Sequence, residues 1–422
     1  MIKRIVLYSL LFTSLLSVSA YAGTDDETAY ALNTLLFLVS GFLVMLMAAG
    51  FCMLESGMVT SKSVSTIAAK NIGLYSIAGL MFWVIGYNVA YGIPEGGYIG
   101  SFTPWSDASA IDTGYSDGSD WFFQMVFCAT TVSIVSGTLA ERIKIWPFFL
   151  FAAILTGVIY PNEMGWQWGG GWLSAAGFSD FAGSTLVHAA GGAAALAGAI
   201  VLGPRLGRFS NGKLVPFASS SIPLATLGTF ILWFGWFGFN GGSQLALAGF
   251  ENATAVATIY INTNLAACAG VMTCAVITRL INGKTDVIMM LNGALGGLVA
   301  ITAEPLTPTP LMAIIIGSIG GIIVILGTQA LNKFQIDDVV GAIPVHLFAG
   351  IWGTLAVPLT NSGTSFGPQL LGTASICAFV FVVSFIVWSI MKATIGIRIS
   401  EEAEKEGTDI AETGVTAYAI RD

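Results

Sequence analysis

The 422-residue chain contains two histidines, and both stand in one glycine-rich apolar pattern. One copy reads Asp180-x-x-Gly183-x-x-x-Val187-His188-x-x-x-Gly192, the other Asp338-x-x-Gly341-x-x-x-Val345-His346-x-x-x-Gly350. Imidazole changes charge near neutral pH, shuttles protons and ligates metals. Ionisable groups at membrane depth usually line pathways or relays, so a symmetric pair points to proton handling, where a lone histidine would read as a packed residue bonded to a neighbouring helix. In each copy the histidine follows its aspartate by eight residues, about 12 Å if the segment is α-helical. That is too far for Asp180 or Asp338 to orient its own histidine directly. Each aspartate is expected to cap a helix N-terminus or fix a loop.

The elements that carry these residues follow from composition. Hydrophobic residues make up 55% of the chain, charged residues 9%, and the mean hydropathy is +0.80, which excludes a soluble globular domain. The expected class is an all-α polytopic membrane protein. Residues 1–22 have the basic start, apolar run and Ala-x-Ala site of a signal peptide, with cleavage expected after Ala22 and the mature N-terminus outside; an uncleaved first span is the alternative. Crossing a hydrocarbon core of about 30 Å takes about 20 helical residues. Stretches of that kind fall near 33–54, 67–92, 120–139, 145–162, 184–203, 221–242, 252–277, 285–303, 310–330, 338–359 and 367–394. This predicts eleven transmembrane helices in a membrane domain over 23–394, followed by a polar tail over 395–422.

With the N-terminus outside, every Lys and Arg beyond Lys3 and Arg4 falls in an inner loop, near an inner helix end or in the tail, the last of them at Arg421. That asymmetry satisfies the positive-inside rule and puts the C-terminus inside. Twelve acids, from Asp25 through Asp120, Glu163 and Asp180 to Glu304, are assigned to the outer side, a field that concentrates cations. The five cysteines, Cys52, Cys128, Cys268, Cys274 and Cys377, lie in apolar spans without metal-type spacing and read as small buried hydrophobes.

The fifth span runs inward and the tenth outward, yet both carry the histidine pattern. Two inverted five-helix repeats plus a final helix follow, an arrangement that places sites near the midplane between the halves. His188 then arrives from outside and His346 from inside at similar depth.

The chain resembles the ammonium transporter (Amt/Mep/Rh) family over nearly its whole length beyond the signal peptide. The resemblance rests on Asp180-Phe-Ala-Gly-Ser-Thr-Leu-Val-His188, Gly137-Thr-Leu-Ala-Glu-Arg142, Trp236-Phe-Gly-Phe-Asn-Gly-Gly-Ser243, and Asp337-Asp338 leading to Val345-His346. It implies a homotrimer with one pore per subunit and a pore and proton relay at His188 and His346. It also implies an external ammonium site at Phe127, Trp168 and Ser243 with Asp180 in support, and a gate of Phe127 with Phe239. Asp338 is implied as structural support. No cofactor, metal or nucleic acid is implied, and the expected location is the inner (plasma) membrane. Pro344 departs from the family's small residue before Val345-His346 and is expected to kink the tenth helix. The tail resembles the family's cytoplasmic regulatory tail, which couples the pores and helps dock a PII-type signalling protein.

Other readings of the same residues stand beside this one. An ammonium sensor with little flux would share every motif. A bis-histidine haem protein for electron transfer would use the two imidazoles as axial ligands. A metallohydrolase would need a third ligand that the sequence does not cluster near the pair.

Overall fold

Long apolar runs dominate the sequence, and in the computed structural model, which describes residues 24–418, they fold as helices. In chain order these are α1 Asp26–Met58, α2 Val64–Tyr91, α3 Asp117–Thr138, α4 Ile145–Gly165, α5 Ser184–Leu202, α6 Ile222–Gly242, α7 Phe250–Asn282, α8 Val287–Thr302, α9 Pro310–Lys333, α10 Ile343–Leu359 and α11 Phe366–Thr394. Among the described residues nine are long and apolar enough to cross a membrane, and α8 and α10 are shorter apolar helices. Each expected span falls on one of these helices. The expected signal peptide lies outside the described residues. The only sheet among them is a two-residue hairpin pairing Phe209–Ser210 with Lys213–Leu214.

Small residues let the helices approach closely, the usual packing device where lipid offers no hydrophobic drive between helices. The α1/α6 contact uses Gly50 and Gly57 on one helix and Gly228, Gly235 and Gly238 on the other, each set hard against the opposite helix. The crossing of α5 and α10 is comparably close. A Cβ on Gly192 would sit 2.6 Å from the Leu347 backbone nitrogen, and one on Gly350 would fall on the Ser184 carbonyl oxygen. Both glycines lie four residues beyond a histidine, so the pattern encodes the crossing as well as the imidazoles.

Five expectations need correction. Asp and His in each copy are not joined by eight residues of α-helix: Gly183 (φ +100°) and Gly341 (φ +80°) turn the chain, a conformation glycine adopts without a Cβ penalty. Wide π-helical turns then follow at Ser184–Ala189 and Ile343–Phe348. Because the copy without proline widens in the same way, Pro344 is not the cause of the irregularity at the histidine. Lys70, assigned to an inner loop, is buried in α2 and donates to the Ser136 carbonyl at 2.7 Å. Cys268 is exposed on the surface of α7 while Cys128 and Cys274 are buried. Finally, Asp120, Glu163, Asp180 and Glu304 are buried inside the helical body, so they do not add to an acidic outer surface.

The tail is docked against the bundle. The Lys144 amide donates to Ile397 O at 2.9 Å and the Ile399 amide to Arg142 O at 3.1 Å. After helix α12, Glu401–Glu406, the Asp409 carboxylate receives the amides of Val64 and Thr66 at the start of α2, and Glu412 receives the Ile145 amide that opens α4. Carboxylates at helix N-termini satisfy unpaired donors and face the positive end of the helix dipole. Beneath the tail, Asp337 binds Arg205 through Nε at 2.8 Å and Nη2 at 2.9 Å, and Arg205 also pairs with Glu141. Burial pushes the Asp337 carboxyl up, but the hydrogen bonds from Arg205 and the charges of Arg142 and Arg205 overcome it and hold it well below the usual carboxylate range.

Candidate functional site

A continuous line of rings runs from a cavity to the histidine pair. The cavity, about 270 Å³, is lined by Tyr87, Tyr91, Tyr115, Asp120, Phe123, Gln124, Phe127, Trp168, Phe181, Ser243 and Leu245. Its floor is Phe127, which stacks on Phe239 with centroids 3.9 Å apart and planes at 19°. Trp168 meets Phe127 edge-on at 6.0 Å. Its indole nitrogen donates to Asp180 O at 2.9 Å, which fixes the ring over the cavity. Ser243 caps the end of α6 and donates its hydroxyl to Phe239 O at 2.8 Å, leaving oxygen lone pairs free to accept.

Beyond the stacked phenylalanines lies His188, its ring 5.3 Å from Phe239 and stacked on Trp236 at 4.9 Å and 17°. His188 Nδ1 faces His346 Nδ1 at 3.2 Å. His188 is fully buried and His346 is 2% exposed. Two ring nitrogens at that distance share a single proton between them: one donates, the other accepts, and the remaining ring proton sits on an Nε2. His188 Nε2 is buried with no partner among the described residues. On the far side of the pair, His346 and Phe51, Leu54, Glu55, Ser133 and Asn292 border a small void.

The backbone that carries each histidine is held by its aspartate. Asp180 accepts the amides of Gly183, Ser184, Thr185 and Leu186 at 2.7 to 3.0 Å, and Asp338 accepts those of Gly341 and Ile343 with the Thr138 hydroxyl. These are the donors a helix start leaves unpaired. The π-turns show in the bond from His188 N to Gly183 O at 3.0 Å and in the Ala349 amide bonding Pro344 O. Widened turns of this type recur at functional sites and here bring the ring of each histidine to the crossing point.

The structure therefore gathers Phe127, Trp168 and Ser243 around one cavity and sets Phe239, His188 and His346 in sequence behind it. The Asp180 carboxylate is not part of the cavity wall; it is consumed by four amides, and its contact with the site is the carbonyl that holds Trp168. Sequence reasoning assigned no role to Trp236, although it lies one turn from Phe239 on the same face of α6. It also left Asp120 and Gln124 out of the site, although they precede Phe127 by seven and three residues on α3. The imidazole nitrogens stand too close for the haem reading: an axially ligated metal needs about 2 Å to each nitrogen, roughly 4 Å in all, with a macrocycle between the rings.

The model of the Ammonium Transporter Family matches residues 35–418 of the chain. Ammonium transporter Amt2 of Archaeoglobus fulgidus is 41% identical over 418 residues, covering 90% of this chain and 87% of that protein. The ammonium transporter of Bacillus subtilis is 34% identical over 409 residues, covering 92% and 98%. Among solved structures, a sensor Amt protein superposes with a TM-score of 0.87 at 33% identity, covering 92% of this chain and all of that one. Candida albicans Mep2 superposes at 0.82 and 26%, covering 94% and 95%. The line of aromatic rings ending in two facing imidazoles is thus housed in a multi-pass membrane protein, and the chain belongs to the ammonium transporter family.

Proposed function

We propose that this ammonium transporter strips ammonium of its proton at Phe127 and Phe239 and passes neutral ammonia along the aromatic line, while the proton crosses separately through His188 and His346. The observation that carries the reading is the unbroken sequence of cavity, stacked phenylalanines and facing imidazoles. Moving an intact ion through an apolar passage costs up to tens of kcal/mol by Born estimates, and ammonia avoids most of that cost. A cation losing its water is held against the faces of Phe127 and Trp168, an attraction of about 2 kcal/mol or more once desolvated, with the Ser243 oxygen accepting one N–H. Asp180 supports this site through Trp168. The paired imidazoles titrate as one unit, so they hold one mobile proton without both charging. Potassium has no proton to give up and stops at the phenylalanines.

The finer architecture belongs to the same reading: eleven crossings, two inverted five-helix repeats with α11 added, the N-terminus outside and the C-terminus inside. The matched local structures at His188 and His346 support the repeat. A signal peptide over 1–22, a homotrimer, an inner-membrane location, and a tail over 395–422 that meets a PII-type protein complete it. Transport requires no bond-making enzyme chemistry.

The test is current on solid-supported membranes after an ammonium jump, comparing wild type with His188→Ala. Ammonium-specific current that disappears in a folded variant supports the relay; undiminished current in that variant refutes it. The likeness to a protein titled a sensor Amt protein favours one second reading, ammonium sensing with little flux. Absence of both current and internal pH change in the same vesicles would select it.

A further inference from the structure

The cavity contains a carboxylate to which neither the aromatic site nor the histidine relay gives a task. Asp120, Gln124 and Phe127 follow one another at i, i+4 and i+7 on α3 and share one face. Asp120 and Gln124 are each only 7% exposed, and both line the cavity with Phe127, Trp168 and Ser243. The Tyr87 hydroxyl donates to Asp120 Oδ2 at 2.7 Å, and Gln124 Nε2 donates to Oδ1 at 3.3 Å. Anchoring the amide nitrogen on the carboxylate commits the amide oxygen: Gln124 Oε1 is buried and has no partner among the described residues. Among the described residues no Lys, Arg or His lines the cavity, and Asp120 forms no ion pair.

A nearly buried carboxylate supported by two neutral donors is left short of a counter-charge, a costly state unless a cation completes it. Beside it an amide oxygen waits for a donor. An ion with several N–H groups satisfies both at once, through a charge-assisted bond to Asp120 and a neutral bond to Gln124. We propose that Asp120 and Gln124 form a second cation subsite, at the cavity wall ahead of Phe127, Trp168 and Ser243, that captures ammonium before it meets the aromatic faces. The inference rests on the reading that the ion enters through this cavity. The subsite supplies capture and not exclusion: a carboxylate also attracts potassium, so potassium competes here and is refused at the phenylalanines.

Asp120→Asn preserves shape and lets the Tyr87 hydroxyl keep an acceptor, and Gln124→Leu removes the free oxygen together with the amide that donates to Asp120 while leaving the carboxylate in place. In the current assay, Asp120→Asn is expected to raise half-saturating ammonium about tenfold or more, to lower maximal current far less, and to abolish competition by added potassium. Gln124→Leu is expected to raise half-saturation by a smaller factor and to leave potassium competition in place. Unchanged half-saturation in Asp120→Asn overturns the proposal, and so does a loss of maximal current with half-saturation intact, which is the mark of a structural role. Calorimetric titration of the purified proteins with ammonium chloride reads the same shift without transport. If wild type carries no current but binds ammonium about tenfold more tightly than Asp120→Asn, the transport reading fails and the subsite stands.

Discussion

Gly192→Ala is the sharpest perturbation of the histidine pair, because it adds one carbon where α5 meets α10 and touches no titratable group. The new Cβ would lie 2.6 Å from Leu347 N and 2.7 Å from Leu347 Cβ, whereas ordinary contact begins at 3.4 Å. The helices must therefore separate by about 0.8 Å, the difference between the first and last of these values. Leu347 adjoins His346, so the same displacement opens the Nδ1 to Nδ1 distance from 3.2 Å to about 4 Å, beyond hydrogen-bond range. Overpacking of this kind costs about 1–3 kcal/mol, and a misplacement near 1 Å at a reacting centre lowers rates by about a hundredfold. Ammonium-driven current in proteoliposomes is expected to fall by one to two orders of magnitude, with the thermal midpoint lowered by several degrees. Gly367→Ala, where an added Cβ meets nothing within 4 Å, serves as the control and should change neither. Wild-type current in Gly192→Ala would falsify the claim that this crossing sets the imidazole geometry.

Two further outcomes follow from the tail side of the protein. Arg142 is fully buried and donates to the carbonyls of Thr138, Ala140, Gly203 and Asp337. Arg142→Lys cannot reproduce that fork and strands acceptors at about 1–3 kcal/mol each, so detergent-solubilised protein should show a clear drop in thermal midpoint and little recovery over Arg142→Ala. Asp337 has its carboxyl held down by Arg205 and Arg142. A depressed acid contributes stability above its unfolded pKa, near 3.8, and loses it as pH falls through the folded value. The midpoint difference between wild type and Asp337→Asn should therefore stay constant from about pH 8 to about pH 5 and shrink only in stronger acid; a difference that vanishes between pH 7 and pH 5 would contradict the ion-pair geometry.

Apolar run lengths located the helices, because a hydrocarbon solvent leaves a chain few alternatives to helical hydrogen bonding. The histidine pattern located the site for a related reason: its aspartates and glycines are structural requirements visible as letters. Asp180 and Asp338 must accept amides, Gly183 and Gly341 must turn, and Gly192 and Gly350 must let the backbones touch. Other features were hidden because sequence distance carries no information about them. Trp236 reads as one more membrane tryptophan until α6 is laid across His188. Asp120, at the edge of its expected span, and Glu163, just beyond its own, read as outer acids because helix ends are uncertain by a few residues, and a turn's difference moves a carboxylate from solvent into the body. The π-turns have no compositional signature, and Pro344 drew attention to the wrong cause. The tail's polarity suggested solvation, but Asp409 and Glu412 are spent on helix N-termini that only the fold brings near.

The buried acids of the two ends are balanced in different ways, and the difference separates what must stay fixed from what must exchange. Where the tail docks, Glu141 and Asp337 are 8% and 2% exposed and both pair with Arg205. Charges closed on each other in this way are hard to separate, because removing either partner strands the other away from water. At the cavity end, Asp120, Asp180 and Glu304 are bonded only to neutral donors, and both oxygens of Glu163 lack any partner among the described residues. Asp180 is nevertheless satisfied, since four amides at a helix start carry partial positive charge enough to hold an anion. Among the described residues Asp120 accepts no backbone amide, and it lines the cavity ahead of Phe127. A permanent arginine there would satisfy the carboxylate and, by the same act, repel the substrate. Leaving the counter-charge to be supplied by the passing ion keeps the cavity attractive each time it empties, while the locked pairs at the other end hold the loops and the tail in place.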